Sequence, residues 1–381
     1  MELTSIRARC LVPASSPLQP ADIKALALTI VDGRIASIDE LPQDSTCDVS
    51  HIIAPGFVDL QINGLDADDL WEIARHDDLT AWQRLENKLL DQGVTGWCPT
   101  FISAPSSDYI KLTGFLETLH QRSSSTSFEK HVQPRILGLH LEGPYLGSVR
   151  GAHAAQAISE PEWTWLPEII SRVALMTLGA ESEGSEELCR TLNRHGVVVS
   201  LGHTAPSHQQ YISLRQAGVT MVTHLFNGMS GLQHRQPGLA AWALTDDGVF
   251  CSLIADGVHV DPTMIRLAFR SQPNRVVLVT DRVAHLSPRH QDRLHVADGA
   301  VRLSNGTLAG SLLTMSQAIR VCVELAGISP VEALSAATTH PAQVLGLTSQ
   351  GQIAVGARAD LIALDDNYNV QAVWLEGQRV R

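Results

Sequence analysis

The stretch Arg135-Ile-Leu-Gly-Leu-His-Leu-Glu-Gly-Pro-Tyr145 decides the fold, because an apolar segment here ends in an acid and a forced turn. Residues 136–141 have the composition of a buried strand, and the Gly-Pro pair after Glu142 stops that strand. Glu142 therefore lies at the C-terminal end of a predicted strand. A lone glutamate in such a position is most often a surface turn residue, so its meaning depends on whether other segments repeat the pattern.

The pattern does recur along the chain, with apolar strand-like segments alternating with segments of helical periodicity such as 79–92, 185–195 and 262–271. Eight β then α alternations predict an α/β fold, a (β/α)8 TIM-like barrel with right-handed crossovers. In such a barrel the loops at the C-terminal strand ends converge on one face and carry the chemistry. The candidate strands are 56–63, 96–102, 136–142, 173–180, 197–203, 220–224, 249–256 and 275–281.

Both ends of the chain have short strand-like segments joined by tight turns, including the hairpin signal Asp32-Gly33. Neither end alone can bury enough core, so we predict that the two termini combine into one small β-sandwich domain. The predicted boundaries are 1–53 and 348–381 for the two parts of this domain and 54–347 for the barrel.

Composition predicts a soluble protein with a cytoplasmic location. Hydrophobic residues make up 44% of the chain and charged residues 18%, without an apolar run of about 18 residues or a basic leader. The six cysteines occur singly, which is typical of core thiols. A formal net charge of -12 argues against a nucleic-acid partner, and nothing predicts a membrane partner. Any anionic ligand must therefore be held by a local cationic group.

Among the residues that end predicted strands, we single out four as candidates to bind a metal or carry a proton: Glu142, His203, His224 and Asp281. Strand ends that are distant in sequence become neighbours around a barrel rim, so these side chains can converge. One carboxylate and two imidazoles form a three-ligand metal set that leaves a position for water. Asp281 could be a fourth ligand or the base that takes the proton of that water, and we favour the base because hydrolysis needs one.

Several ordered motifs resemble the N-acetylglucosamine-6-phosphate deacetylases of the amidohydrolase superfamily, over nearly the whole chain. They are His140-Leu-Glu-Gly-Pro144, Leu201-Gly-His-Thr204, Thr223-His-Leu-Phe-Asn-Gly-Met229, Ala255-Asp-Gly-Val-His259 and Val279-Thr-Asp281, together with Ala54-Pro-Gly-Phe-Val-Asp59. The resemblance implies hydrolysis of N-acetyl-D-glucosamine 6-phosphate to glucosamine 6-phosphate and acetate. It implies one divalent ion on Glu142, His203 and His224, with zinc expected first and iron, cobalt or manganese as alternatives. Asp281 would act as general base and then as acid.

The resemblance also implies substrate contacts. His153 would donate a hydrogen bond to the acetamide oxygen, and Arg235 with His259 would hold the 6-phosphate. In this family the arginine reaches the site from a partner subunit, so a homodimer is implied. From the residues alone, Arg235 could equally be a solvated loop arginine, and His153 an idle loop residue. The remaining contacts would come from Ala152, Asn227, Gly228, Leu308, Ala309 and Gly310.

Two departures from the superfamily pattern affect the metal site. Gln61-Ile-Asn63 stands where many amidohydrolases carry His-x-His, and neutral amides are weak zinc ligands. Gln61 and Asn63 would therefore give at most a weak second-metal or water contact. No lysine follows Lys130, so a bridging carboxylated lysine is excluded, and Glu142 takes the place of that acid. We predict one tightly bound ion.

Other features leave alternatives open. The segment 282–290 replaces a small, alanine-rich segment of the family, and Arg282 and His285 in it could approach the substrate or merely reflect loop drift. The acids Asp66, Asp68 and Asp69 could touch the sugar amine or begin a helix. His140 shares a strand face with Glu142 and could support it or pack in the core.

Three rival functions remain. An N-acetylgalactosamine-6-phosphate deacetylase would differ only in the C4 hydroxyl of its substrate, which the sequence does not distinguish. A cyclic-amide hydrolase is disfavoured by the absent bridging lysine and by the phosphate pair Arg235 and His259. A catalytically silent barrel is disfavoured because all four rim residues are present.

Overall fold

The structure is a computed structural model, which describes residues 3–12, 22–42, 45–49, 51–124, 133–155 and 164–381. Its barrel strands are short and consist largely of buried residues, as expected when both faces of a parallel sheet are covered. In chain order the strands are β1 Leu3–Val12, β2 Asp22–Val31, β3 Arg34–Glu40, β4 Ile52–Pro55, β5 Phe57–Ile62, β6 Gly64–Leu65, β7 Asp68–Asp69, β8 Val94–Ile102, β9 Arg135–Ile136, β10 Leu139–Glu142, β11 Val173–Leu178, β12 Val198–Leu201, β13 Val219–Val222, β14 Phe250–Leu253, β15 Val276–Leu278, β16 Leu294–Ala297, β17 Ala300–Leu303, β18 Leu361–Leu364, β19 Val370–Leu375 and β20 Gln378–Arg379.

The helices are α1 Leu70–His76, α2 Leu79–Asp91, α3 Ser106–Ser124, α4 Leu166–Ile169, α5 Ser185–Arg194, α6 His208–Ala217, α7 Leu239–Thr245, α8 Pro262–Ser271, α9 Met315–Arg320, α10 Pro330–Ala337 and α11 Thr339–Val344. The helical segments predicted at 79–92, 185–195 and 262–271 correspond to α2, α5 and α8. Asp261 caps α8, because its carboxylate accepts a hydrogen bond from the Thr263 N–H at 2.7 Å. Within the described residues, no helix is long and apolar enough to cross a membrane.

The barrel contains all eight predicted strands in chain order. Its parallel sheet runs β5-β8-β10-β11-β12-β13-β14-β15, and β9 adds a short pairing to β8. The two ends of this sheet meet, because Asp281 N donates to Gln61 O at 2.9 Å and Asn63 N donates to Arg282 O at 2.8 Å. The (β/α)8 prediction is confirmed, and its consequence is that residues after distant strands share one rim.

The chain termini form a second sheet, which confirms the prediction of a small β unit built from both ends. Within the described residues, this seven-stranded sheet has the order β20-β19-β18-β4-β1-β2-β3. The two ends are joined where β18 pairs antiparallel with β4. A hydrophobic core separate from that of the barrel packs Leu28 and Ile35 with Ala359 and Trp374. The boundaries at 53/54 and 347/348 stay a prediction.

Candidate metal and substrate site

Three of the four rim residues lie just beyond a strand, in the left-handed backbone region. His203 follows β12 with φ 52°, His224 follows β13 with φ 33°, and Asp281 follows β15 with φ 49°. Glu142 differs, because it is the last residue of β10. Non-glycine residues in this region are strained and tend to cluster at functional sites. These three are among ten described non-glycine residues with positive φ, so backbone strain accompanies the site but does not identify it alone.

The side chains of Glu142, His203 and His224 converge on one point. Glu142 Oε1 lies 3.1 Å from His203 Nε2 and 3.0 Å from His224 Nε2, and the two nitrogens are 3.1 Å apart. Two ligand atoms of a tetrahedral zinc ion, at bond lengths of about 2.0–2.1 Å, lie about 3.3 Å from each other. The three atoms are therefore spaced like ligands of a single metal ion.

Hydrogen bonds on the other side of each ring determine which nitrogen faces Glu142. His203 Nδ1 lies 3.1 Å from Val149 O, and His224 Nδ1 lies 3.0 Å from Asn227 O. Carbonyl oxygens only accept hydrogen bonds, so each Nδ1 carries a proton and each Nε2 presents a lone pair. Two lone pairs and a carboxylate that face one point require a positive charge between them. This donor set fits a divalent metal ion.

The electrostatics of these side chains agree with that assignment. Burial acts to raise the pKa of Glu142, but the His203 and His224 rings, when they carry protons in place of a metal ion, hold it well below its ordinary value. Burial acts to lower the pKa of His224, but the hydrogen bond and charge of Glu142 raise it overall. Both shifts mean that a positive charge is favourable between these side chains.

His153 adjoins this cluster from the loop after β10. Its Nε2 is 3.9 Å from Glu142 Oε2, and its Nδ1 is 3.1 Å from Ser103 Oγ. Glu142, His153 and His203 also bring one possible ligand atom each within 4.8 Å of one another. His224 is the better third ligand, because its nitrogen is nearer to the carboxylate. Burial lowers the pKa of His153 to about 3, so its ring is neutral at pH 7.

Asp281 lies beside the cluster and is held by two amide side chains. Asn63 Nδ2 donates to Asp281 Oδ1 at 2.7 Å, and Gln61 Nε2 lies 3.2 Å from both Asp281 Oδ1 and Glu142 Oε1. Burial and the charge of Glu142 raise the pKa of Asp281 to about 6, which suits a general base near neutral pH. Both amide groups thus donate hydrogen bonds to carboxylates. The weak second-metal or water contact at Gln61 and Asn63 stays a prediction.

A cavity of about 460 Å³ opens over these groups, which is large enough for a small-molecule ligand. His259 in its wall is oriented by Asp256, whose Oδ2 is 2.6 Å from His259 Nδ1. Arg235 lies on an exposed loop and is not among the described residues that line the cavity. The other predicted substrate contacts all line it, and they are Ala152, His153, Asn227, Gly228, His259, Leu308, Ala309 and Gly310.

Several cavity residues were not singled out as site residues from the sequence, and they are Trp71, Arg289, His290, Arg293 and Arg302. Two roles were left open for Asp69. It has one of them, because it begins a helix, and it also lies in the cavity wall. It caps α1 by accepting from Glu72 N at 2.9 Å, and its Oδ2 is 2.9 Å from His290 Nε2. The atypical segment 282–290 was the only sequence signal near His290, but the residues singled out in it were Arg282 and His285, whereas Arg289 and His290 line the cavity.

Arg282 and His285, in that same segment, are not among the described residues that line the cavity. Arg282 instead contacts Asp66 Oδ1 at 3.4 Å and Gln92 Oε1 at 3.2 Å. His140 packs in the barrel interior, with Nδ1 3.0 Å from Leu60 O. Burial lowers the pKa of His140 to about 4, so it is a neutral core residue.

Comparison with known proteins shows similarity over most of the chain. Residues 52–380 match the Amidohydrolase family. The N-acetylgalactosamine-6-phosphate deacetylase of Escherichia coli O157:H7 is 33% identical over 363 residues, which cover 92% of this chain and 93% of that protein. The N-acetylglucosamine-6-phosphate deacetylase of Rattus norvegicus is 36% identical over 353 residues, which cover 87% of this chain and 83% of that protein.

Solved structures share the fold over the full length. The N-acetylglucosamine-6-phosphate deacetylase from Thermotoga maritima is 30% identical, with a TM-score of 0.85, and the match covers 100% of this chain and 99% of that chain. A variant of the Mycobacterium smegmatis deacetylase, solved in complex with N-acetyl-D-glucosamine-6-phosphate, is 27% identical with a TM-score of 0.83, and the match covers 100% and 99% of the two chains.

Proposed function

Because the chain belongs to the amidohydrolase family, and within it to the N-acetylhexosamine-6-phosphate deacetylases, we propose that it hydrolyses N-acetyl-D-glucosamine 6-phosphate to glucosamine 6-phosphate and acetate. The observation that carries this proposal is the convergence of Glu142, His203 and His224 beside Asp281 in one cavity. Amide hydrolysis at neutral pH needs an electrophile and a base. This cavity has residues that can hold a metal ion as the electrophile, and it has Asp281 as the base.

Glu142, His203 and His224 would hold one divalent ion. Two imidazoles and a carboxylate suit zinc best among common ions, and they also accommodate iron, cobalt or manganese. When bound, such an ion lowers the pKa of water and polarises the acetamide carbonyl. The mutual spacing of about 3 Å between the three ligand atoms supports a single ion at this point.

Asp281 and His153 have the proton-handling roles in this proposal. Asp281 takes the proton of the attacking water and, once protonated, donates it to the sugar amine as acetate leaves. His153 donates a hydrogen bond to the acetamide oxygen as negative charge develops there. That donation requires the proton on Nε2, and therefore that the Ser103 hydroxyl donates to Nδ1, 3.1 Å away, rather than to Glu142 O at 3.3 Å.

The 6-phosphate would be held by His259 and by Arg235 of a partner subunit in a homodimer. His259 supports this role because Asp256 orients its ring in the cavity wall. Arg235 is exposed and outside the cavity lining of its own chain, as a contact with a neighbouring subunit requires. A planar guanidinium can bind two phosphate oxygens at once. An acidic protein needs such a local positive charge to bind an anionic substrate.

Arg235→Ala should raise KM for the phosphorylated sugar by roughly 10- to 100-fold, because one charge-assisted contact contributes about 1.5–3 kcal/mol. The unphosphorylated sugar, with no such contact to lose, is the control and should change little. Steady-state kinetics on both sugars measure the difference. An equal effect on the two sugars would contradict the phosphate role.

Mixing Arg235→Ala with Asp281→Asn tests the shared site. In a mixed dimer, one site combines an intact Asp281 with the intact Arg235 of the other subunit, so about a quarter of all sites should recover. Each variant alone should stay impaired. Mixed dimers that recover no activity would mean that Arg235 serves its own subunit.

An acetate-release assay tests the proposed function over four sugars: N-acetylglucosamine, N-acetylgalactosamine and the 6-phosphate of each. We expect the highest kcat/KM for N-acetylglucosamine 6-phosphate. The galacto substrate is the second candidate, because the Escherichia coli relative bears that name. A cyclic amide serves as the negative control. Equal rates without the phosphate would remove the roles given to Arg235 and His259, and no release from any sugar would refute the function.

The proposed location is the cytoplasm. All six cysteines are free thiols, and five of them are buried. Unpaired cysteines are typical of a reducing compartment, which supports this location.

A further inference from the structure

Glu181 follows β11 and gathers hydrogen bonds from two separate loops. Its Oε1 accepts from Ser148 Oγ and from Ala205 N, both at 2.7 Å, and from Ser148 N at 3.3 Å. Its Oε2 accepts from Thr204 Oγ1. Glu181 is not among the described residues that line the cavity, so these contacts do not serve the substrate directly.

Both loops that Glu181 joins contact His203. Val149, which follows Ser148, has its O 3.1 Å from His203 Nδ1, and its N–H donates to His203 O at 3.3 Å. Thr204 and Ala205 directly follow His203, whose backbone is in the left-handed region. Glu181 therefore connects the segment that holds the His203 ring to the segment that continues its backbone.

The packing around Glu181 shows that the loop before Val149 lies close to the Glu181 carboxylate. A Cβ added at Gly147 would lie 2.0 Å from Glu181 Oε2, and one added at Gly179 would lie 2.0 Å from Gly147 N. A side chain at Gly179 would require a backbone shift, and one at Gly147 would displace the Glu181 carboxylate. The loop before Val149 is thus packed directly against the Glu181 carboxylate and against the end of β11.

We propose that Glu181 is a positioning residue for the metal site. It holds the loop that carries Val149, and through the Val149 carbonyl it keeps the proton of His203 on Nδ1 and the lone pair of Nε2 directed at Glu142. This inference rests on the proposed function, because it assumes that His203 binds the metal. Partners that orient metal-binding histidines typically contribute 10- to 100-fold in metal affinity, and we expect an effect of roughly that size.

The test is the metal affinity of purified Glu181→Gln, measured by titrating Zn²⁺ against a chromophoric chelator. The amide keeps the size of the side chain but removes its negative charge, so the hydrogen bonds from Ser148 and Ala205 lose their charge assistance. The Thr204 contact persists only if its hydroxyl accepts from the new amide group instead of donating. We expect Kd to rise by roughly 10- to 100-fold. The absorption spectrum of the Co²⁺-loaded variant should also change, because the coordination geometry at His203 is altered.

The matched control is Glu183→Gln, which makes the same charge change at an exposed position two residues away. It should bind Zn²⁺ like the wild type. If Glu181→Gln does not fold, Ser148→Ala removes one donor from an exposed position and should still raise Kd several-fold. Thermal unfolding of the metal-free proteins separates a general loss of stability from a local effect on metal binding.

The outcomes are distinct. A Kd for Glu181→Gln within about twofold of the Glu183→Gln value, with an unchanged Co²⁺ spectrum, would overturn the inference. A wild-type protein that binds no metal would overturn it as well. A wild-type protein that binds Zn²⁺ but releases no acetate would refute the proposed function, whereas the affinity comparison would still decide the role of Glu181.

Discussion

Glu142→Gln should lose its metal ion altogether, rather than only its activity. Glu142 is the sole carboxylate among the proposed ligands, and its Oε1 is within 3.1 Å of both histidine nitrogens. Glutamine keeps the shape of the side chain but offers a neutral amide, which binds divalent ions weakly. His203 and His224 would then remain as the only two strong ligands. The loss of affinity should exceed the roughly 10- to 100-fold effect of changes outside the ligand set.

Elemental analysis of the dialysed variant measures this loss, with the wild type expected to hold about one ion per subunit. Asp281→Asn is the matched control, because it converts the neighbouring acid to an amide without removing a ligand. Circular dichroism establishes that both variants are folded. A Glu142→Gln protein that retains a full complement of metal would contradict the ligand assignment, whatever its activity.

Asp281→Asn should reduce kcat by roughly 10²- to 10⁴-fold while the metal content stays intact. The substitution removes the group that accepts and returns the proton, yet an asparagine oxygen can still accept the hydrogen bonds that Asn63 and Gln61 donate. Structure and metal site should therefore be preserved. Acetate release measures kcat, and elemental analysis measures the metal. Full activity in this variant would refute the role of Asp281 as general base.

The pH dependence gives a second measure of the same role. A general base works only when it is deprotonated, so the rate should fall as the pH drops through the pKa of Asp281. Burial and the charge of Glu142 raise that pKa to about 6, and a bound cation would lower it. The acidic limb should thus lie at or below about pH 6 in the wild type. An identical limb in Asp281→Asn would assign it to another group.

Much of the barrel and of its rim could be predicted from residue patterns. In segments such as 197–203, an aliphatic run ends in a histidine. The run predicts a strand correctly because a parallel strand in a barrel is buried on both faces. Most of the barrel strands are shorter than predicted, whereas β8 is longer. β12 ends at Leu201, so His203 leaves the sheet in a left-handed conformation that an aliphatic pattern does not encode.

Contacts between distant loops were not predictable in the same way. The pairing of Asp69 with His290 joins residues 221 positions apart in sequence, and neither residue belongs to a periodic pattern. Glu181 likewise carries no signal in the sequence, because its partners are a serine, a threonine and backbone amides on two other loops. Such contacts depend on loop geometry rather than on local composition.

The sequence by itself determined the barrel, the small β unit of both termini and the set Glu142, His203, His224 and Asp281. It could do so because burial imposes a regular apolar pattern on strands and a polar residue that ends one stands out against it. Only the tertiary structure decided which nitrogen each histidine turns toward Glu142. That orientation depends on the backbone carbonyl groups of Val149 and Asn227. Because every residue has a backbone carbonyl group, the residue types in the sequence do not reveal which ones accept these hydrogen bonds.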